Sequence, residues 1–227
     1  MNRGIGTALA AVALIAVGAC TGWDATTDEQ SYQIDQPITA LVVNARAAHV
    51  TIETSRDRVT VTETHRYGGV RPSTAHRVDG QTLRLTETGC RDDNHARCEV
   101  EYRIRVPSAT TADITTAAGK VTVHGLAGNV TVRTQAGAVE GRRLAADQVS
   151  VTTEAGAASL EFAQVPSLIQ ATTDVGAVEV RVPGESTYAI SALSPVGAAH
   201  VSVLRDDASP HRIEVQTQVG TVHIEPT

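Results

Sequence analysis

The sequence predicts an all-β chain wound as a single-stack β-solenoid, and three observations carry that expectation. Valine alternates with Thr, Ser and charged residues through most of the chain, while few segments show the 3.6-residue period of an amphipathic helix. Hydrophobic residues make up 41% of the 227 residues but aromatics only 3%. The core must therefore be thin and built from Val and Ala, not from the Leu and Phe of a wide sandwich or a long-helix bundle. Third, a glycine returns at Gly119, Gly137, Gly156, Gly176, Gly197 and Gly220, with spacings of 18, 19, 20, 21 and 23 residues. Periods of this length are the signature of stacked repeats.

The neighbours of these glycines are constant in kind. Three places before stand Thr116, Thr134, Thr153, Thr173, Ser194 and Thr217, and immediately before come Ala118, Ala136, Ala155, Val175, Val196 and Val219. Two places after are Val121, Val139, Ala158, Val178, Ala199 and Val222. Side chains alternate faces along a strand, so the apolar positions before the glycine share one parity, and after it the parity slips by one. A strand that keeps its apolar side inward across such a slip has turned a corner, which glycine tolerates. The Thr or Ser upstream falls on the inward parity, where its hydroxyl can satisfy backbone groups near the bend. One rung cannot bury its apolar edge, whereas stacked rungs bury a continuous one. A conventional sandwich with repeating hairpins is the alternative.

In chain order, residues 1–19 read as a secretory leader, with Arg3 ahead of an apolar run from Ile5 to Val17 that is short for a membrane span. The sequence Val17-Gly18-Ala19-Cys20 resembles a bacterial lipobox, predicting lipidation of Cys20, although Val17 and Ala19 also suit cleavage of an ordinary signal peptide. Residues 20–31 are polar and unpatterned, a tether. Residues 32–227 form the predicted solenoid domain, with clear repeats over 112–227. Residues 41–52 fit a weaker rung with Ala48 in the glycine position, and residues 55–106 read as degenerate rungs or a capping meander. With Cys20 acylated, Cys90 and Cys98 remain as a pair in an oxidising compartment, which favours a disulfide.

A net charge of −6 without a Lys/Arg run gives no reason to seek phosphate backbones, so nucleic acid is not expected as a partner. The outward position five after the glycine includes Arg142, Glu161 and Arg181, an alternating-charge ladder. Three after the glycine, Glu179, His200 and His223 are expected in consecutive rungs. Two imidazoles and a carboxylate could hold zinc or copper, but side chains on stacked strands run parallel instead of converging, so no metal or cofactor is expected. No nucleophile elbow, phosphate loop or HExxH zinc motif is present, and Glu140 and Glu179 are separated by the rung of Ser159, so no enzyme is expected.

The Thr–Ala/Val–Gly phrase, the cysteine pair ahead of a strand ending at Val106-Pro107, and the lipobox together resemble the bacterial putative-adhesin family. That resemblance, over residues 38–227, implies a β-solenoid envelope protein of unestablished biochemical role and brings no catalytic residues. The expectation is a non-catalytic, lipid-anchored protein on the extracytoplasmic face of a bacterial membrane, a surface scaffold for a protein or glycan partner. An envelope protein in a stress-signalling assembly is the alternative, and a glycan-acting enzyme the weaker one. The chain ends on TVHIEPT without an obvious cap, and an open solenoid edge can recruit another chain, so self-association is open to it.

Overall fold

The computed structural model describes residues 26–56, 58–90 and 98–227. The leader, Cys20 and residues 20–25 of the predicted tether lie outside the described residues, whereas residues 26–31, read from the sequence as unpatterned, lie in the first strand and pair with residues 62–67. The N-terminal part contains β1 (Thr26–Ile34), β2 (Ala40–Ser55), β3 (Val59–Tyr67), β4 (Thr74–Asp79), β5 (Thr82–Glu87) and β6 (Cys98–Pro107). The repeat region follows as pairs of strands. These are β7 (Thr111–Ala118) with β8 (Val121–His124), β9 (Val130–Ala136) with β10 (Val139–Leu144), and β11 (Gln148–Ala155) with β12 (Ala158–Phe162). Next come β13 (Leu168–Val175) with β14 (Val178–Val182), β15 (Ala189–Leu193) with β16 (Val196–Val201), and the long β17 (Arg212–Pro226). The fold is all-β, and these strands belong to one mixed sheet.

Two parallel ladders organise the repeat region. The strand before each corner pairs in register with its counterpart, β2–β7–β9–β11–β13–β17–β15, so that Thr116, Thr134, Thr153, Thr173 and Thr217 lie side by side. The strand after each corner does the same through β2–β8–β10–β12–β14–β17–β16. Inward residues of both ladders, Ile114, Val132, Val151, Ala171 and Val215 on one and Val121, Val139, Ala158, Val178 and Val222 on the other, are buried in a single core. The small, β-branched composition has its explanation here: a narrow space between two ladders admits Val and Ala, and β-branched side chains suit the pleated surface.

The glycines form a column. A Cβ on Gly156 would fall far inside contact distance of the Gly137 carbonyl oxygen, and one on Gly176 would meet Gly156 in the same way. Their φ angles, 152° and 150°, are ones that L side chains rarely adopt. Gly119 stands on the carbonyl of Ala48, so the weak first rung is part of the same column.

Two details depart from expectation. The residue just before the glycine is not inward: Val175, Val219 and Val196 are 55%, 46% and 62% exposed. The inside of the bend is already filled by the upstream hydroxyl. Thr173 Oγ1 donates to Gly156 O at 3.2 Å, Thr217 Oγ1 to Gly176 O at 3.0 Å, and Ser194 Oγ to Gly220 O at 2.8 Å. The corner therefore occupies several residues and turns the preceding Ala or Val outward. The levels also break chain order at the end. β17 pairs with β13 and β14 on one side and with β15 and β16 on the other. The last strand slots beneath the rung that precedes it in sequence, and β15–β16, not TVHIEPT, occupies the terminal level.

At the opposite end β5 and β6 extend the two ladders from β2 in parallel. β4 then pairs antiparallel with β5, β3 with β6, and β1 with β3, which makes the sheet mixed. β3, β4, β5 and β6 thus close that end together with β1, and Leu83, Leu85, Val100 and Tyr102 are fully buried. Cys90 and Cys98 are disulfide-bonded.

Candidate binding surfaces

Parallel, in-register pairing projects outward side chains in columns at about 4.8 Å intervals, so each ladder presents a flat face. The face of the second ladder is charged. Glu140 lies opposite Ser159, and Ser159 opposite Glu179, as the spacing predicts. Glu140 is flanked by Lys120 Nζ at 2.7 Å and by Arg142. Hydrogen bonds from Lys120 and Arg142, against a smaller opposing effect of burial, hold its carboxyl below the usual range. A carboxylate so paired is a weak proton donor at neutral pH. Glu179 is paired with Arg181, whose Nε also reaches Glu225 at 2.7 Å.

The predicted ladder of Arg142, Glu161 and Arg181 is interrupted at its first member. Glu161 lies opposite Arg181, but the register between β10 and β12 shifts after Gly141. Arg143 has a positive φ of 48° there, and Arg142 turns to Glu140 instead. Exposed pairs of this kind are screened by solvent and contribute little to stability. Their consequence is a patterned surface more than stability.

Glu179, His200 and His223 share one column, but His223 stands between the other two because β17 is inserted. The imidazoles of His200 and His223 stack with centroids 5.0 Å apart and planes at 27°. Stacked rings point their nitrogens alongside one another instead of toward a common centre, and among the described residues no group of three His, Cys, Asp or Glu could hold a metal ion.

The face of the first ladder is mostly hydroxyl and amide. Ser150, Thr152, Gln170, Thr172, Gln216 and Ser191 line a shallow open groove of about 410 Å³ across four levels. Glu214 at its side accepts from Gln170 Nε2 at 2.9 Å.

A third cluster, inside the N-terminal closure, was not anticipated. Glu63 is buried, and its Oε1 accepts from Tyr32 Oη at 2.6 Å. Its Oε2 accepts from Thr74 Oγ1 at 2.8 Å and lies 3.2 Å from His65 Nε2. Burial pushes this carboxyl up, but hydrogen bonds from His65, Tyr32 and Thr74 outweigh it and hold the group below its usual value. His65 Nδ1 lies 3.6 Å from Asp28 Oδ1. Burial, then the hydrogen bond to Glu63, raises the Tyr32 phenol far above its ordinary value. The signal was present in the sequence: Glu63 and His65 share inward parity with Val59 and Val61. Nearby, Glu87 Oε2 accepts from the backbone N–H groups of Arg46 and Ala47, both at 2.8 Å, at the corner of β2. These groups knit β1, β3, β4 and β5 together around the end of the stack.

No family model matches the chain, and no curated protein matches it in sequence. Solved structures do match in shape. A putative cell adhesion protein from Clostridium sporogenes superposes with a TM-score of 0.56 at 13% identity, covering 90% of this chain and 100% of that one. A putative adhesin from Parabacteroides distasonis aligns over 90% of this chain and 98% of its own at 13% identity, with a TM-score of 0.33. One from Bacteroides fragilis aligns over 89% and 97% at 13% identity, with a TM-score of 0.31. The likeness read from the glycine repeat is thus met at the level of the fold, which this chain shares with the clostridial cell adhesion protein.

Proposed function

We propose that this chain is a non-catalytic, lipid-anchored β-solenoid of the bacterial cell envelope that works by presenting rigid faces to an extracytoplasmic partner. The observation that carries the reading is the pair of in-register parallel ladders. They fix outward columns of charge on one face and of hydroxyl and amide groups on the other, over at least four successive levels. Such faces suit recognition of a repeating or extended surface, whether protein or glycan, and need no moving part. The adhesion name of the clostridial structure supports the same reading by fold analogy.

In this reading residues 1–19 are removed, Cys20 carries the lipid, residues 20–25 hold the domain off the membrane, and the binding unit starts with β1 and runs to residue 227. The six corner glycines set its shape, and no residue is assigned a catalytic role. The test has two arms. Metabolic labelling with a fatty acid should mark the wild-type chain in the membrane fraction and leave Cys20→Ser unlabelled; equal labelling of both would remove the anchor. Wild-type protein should bind extracellular-matrix components or host cells, and Arg181→Glu with Glu140→Lys, which inverts two charges of the charged face, should reduce that binding at least tenfold. No binding by the wild-type protein would contradict the adhesive role. Crosslinking of the anchored protein to another envelope protein alone would favour the signalling alternative.

A further inference from the structure

The two ends of the stack are closed differently, and the terminal level formed by β15 and β16 is open. In lower levels Gly156 N donates to Val175 O of the next strand, and Ala158 N to Ala177 O. The equivalent donors of the terminal level, Gly197 N and Ala199 N, face outward from the last level of the described stack. The core is open there too. Ala171 and Val178 are fully buried, whereas their terminal-level counterparts Ala192 and Ala199 are half-buried and exposed. Among the described residues only the start of β15 is covered, where Tyr188 N donates to Leu204 O at 3.0 Å and Arg205 Nη2 to Ile190 O at 3.2 Å. No described strand pairs with the outer side of residues 191–201.

That edge lacks the charges that guard the other outer strands. β1 carries Asp28 and Glu29, and β4 carries Arg77 and Asp79. β15 and β16 read AISAL and VGAAHV, with His200 their one ionisable group. Charged residues on an edge prevent pairing with another chain, and their absence permits it. Leu193 and Val196, 53% and 62% exposed, place apolar surface on the same edge, and Val196 continues the exposed ridge of Val175 and Val219.

We propose that the occupant of this edge is a second copy of the chain, paired end to end across a two-fold axis at the Pro195–Val196 corner. A two-fold axis bisecting the corner lays β15 of one copy antiparallel on β16 of the other, and the reverse. In that pairing Ala192 meets Ala199 of the second copy, Ser191 meets His200, and Leu193 meets Ala198, so the inward alanine of each strand meets the inward alanine of the other. Such an isologous contact closes on itself and stops at two copies. In a molecule of net charge −6, this edge is also a place where a second copy meets no like charge at close range. Residues 191–201 offer about 36 Å of edge, roughly 10 Å deep, so the pair covers on the order of 700 Å² in total. Stable complexes cover about 1,200 Å² or more. The pair is therefore weak and reversible, and favoured where copies are concentrated.

The test uses the full-length chain in its native membrane. Val196→Cys places a thiol beside the axis on an already exposed side chain, and mild oxidation should give a dimer-mass band on a non-reducing gel, with the position-196 peptide joined to itself. Arg77→Cys on β4 and the parental chain should give less than a tenth of that band. Adding Ala199→Lys to Val196→Cys should reduce the band at least fivefold, since it puts like charges into the pairing. Bands of equal strength from Val196→Cys and Arg77→Cys, or no band, would overturn the proposal. So would position 196 joined to a different protein, which would make this edge a docking strand for another partner.

Discussion

At one end of the stack β5 and β6 are followed by antiparallel strands that bury Tyr102 completely and enclose Glu63 and His65. At the other, β15 and β16 leave Ala199 exposed and, among the described residues, carry no such layer. Between them the glycine column repeats one local solution. The contrast shows that a narrow Val/Ala core propagates by repetition but cannot end by repetition. Ending it takes larger side chains and two carboxylates, Glu63 and Glu87, that each accept more than one hydrogen bond. Where those are missing, the edge stays available.

The largest effect is expected in the column. Gly156→Val puts a branched side chain against the Gly137 backbone at a φ of 152°, and neither neighbour can yield without displacing a level. The expected loss is about 4 kcal/mol or more in denaturant unfolding. Gly80→Ala tests the reverse: with φ 61° but nothing within 4 Å of its Cβ, it should cost about 1 kcal/mol. Equal costs would mean that stacking contact is not what the column glycines provide.

Next comes the closed end. Glu63→Ala leaves Tyr32 Oη, Thr74 Oγ1 and His65 Nε2 without their shared acceptor and should cost about 3 kcal/mol. The exposed Glu154→Ala should stay within about 0.5 kcal/mol. Because the Glu63 carboxyl is held below its usual value of 4.5, its stabilising contribution is complete above about that pH. It is lost as the pH falls through the lower folded value. Urea titrations at pH 7 and at pH 3 should show a smaller acid loss for Glu63→Gln than for the wild-type chain; an unchanged acid loss would place the acid-sensitive group elsewhere.

The smallest effect separates two look-alike residues of the repeat. Thr173 Oγ1 donates to Gly156 O, whereas the buried Thr153 Oγ1 has no partner among the described residues. Thr173→Val should cost about 1 kcal/mol and Thr153→Val about zero, by thermal or denaturant unfolding. Identical costs would show that the hydroxyl fills space in both places.

How much of this was legible follows from what each feature depends on. The corners were readable because their requirement is local: a missing Cβ, an upstream hydroxyl and a parity slip recur at Gly119, Gly137, Gly156 and Gly176. The insertion of β17 was not. Its residues Thr217, Val219 and Gly220 satisfy the register at either of the last two levels, and the choice is made by the connection over residues 202–211 and its contacts to Tyr188. The exposed ridge of Val175, Val219 and Val196 was misplaced because strict alternation was carried one residue too far into the bend. The polar closure was missed because Glu63 and His65 sit on a face that their strand also fills with Val59 and Val61, and only the packing of β1 and β4 reveals their partners.

The central claim, in-register levels with the last strand inserted beneath the one before it, reduces to a distance. Adjacent parallel strands bring Cα atoms within the roughly 4.4–6.8 Å that a disulfide spans, and a separation of two levels, about 9.6 Å, does not. Two double variants at outward-facing positions, Glu179→Cys with His223→Cys and Glu179→Cys with His200→Cys, should be oxidised and their linked peptides identified by mass spectrometry. The account predicts an intramolecular link in the first and none in the second. A link in the second without one in the first would contradict it, restoring chain order to the levels and removing β15 and β16 from the open end.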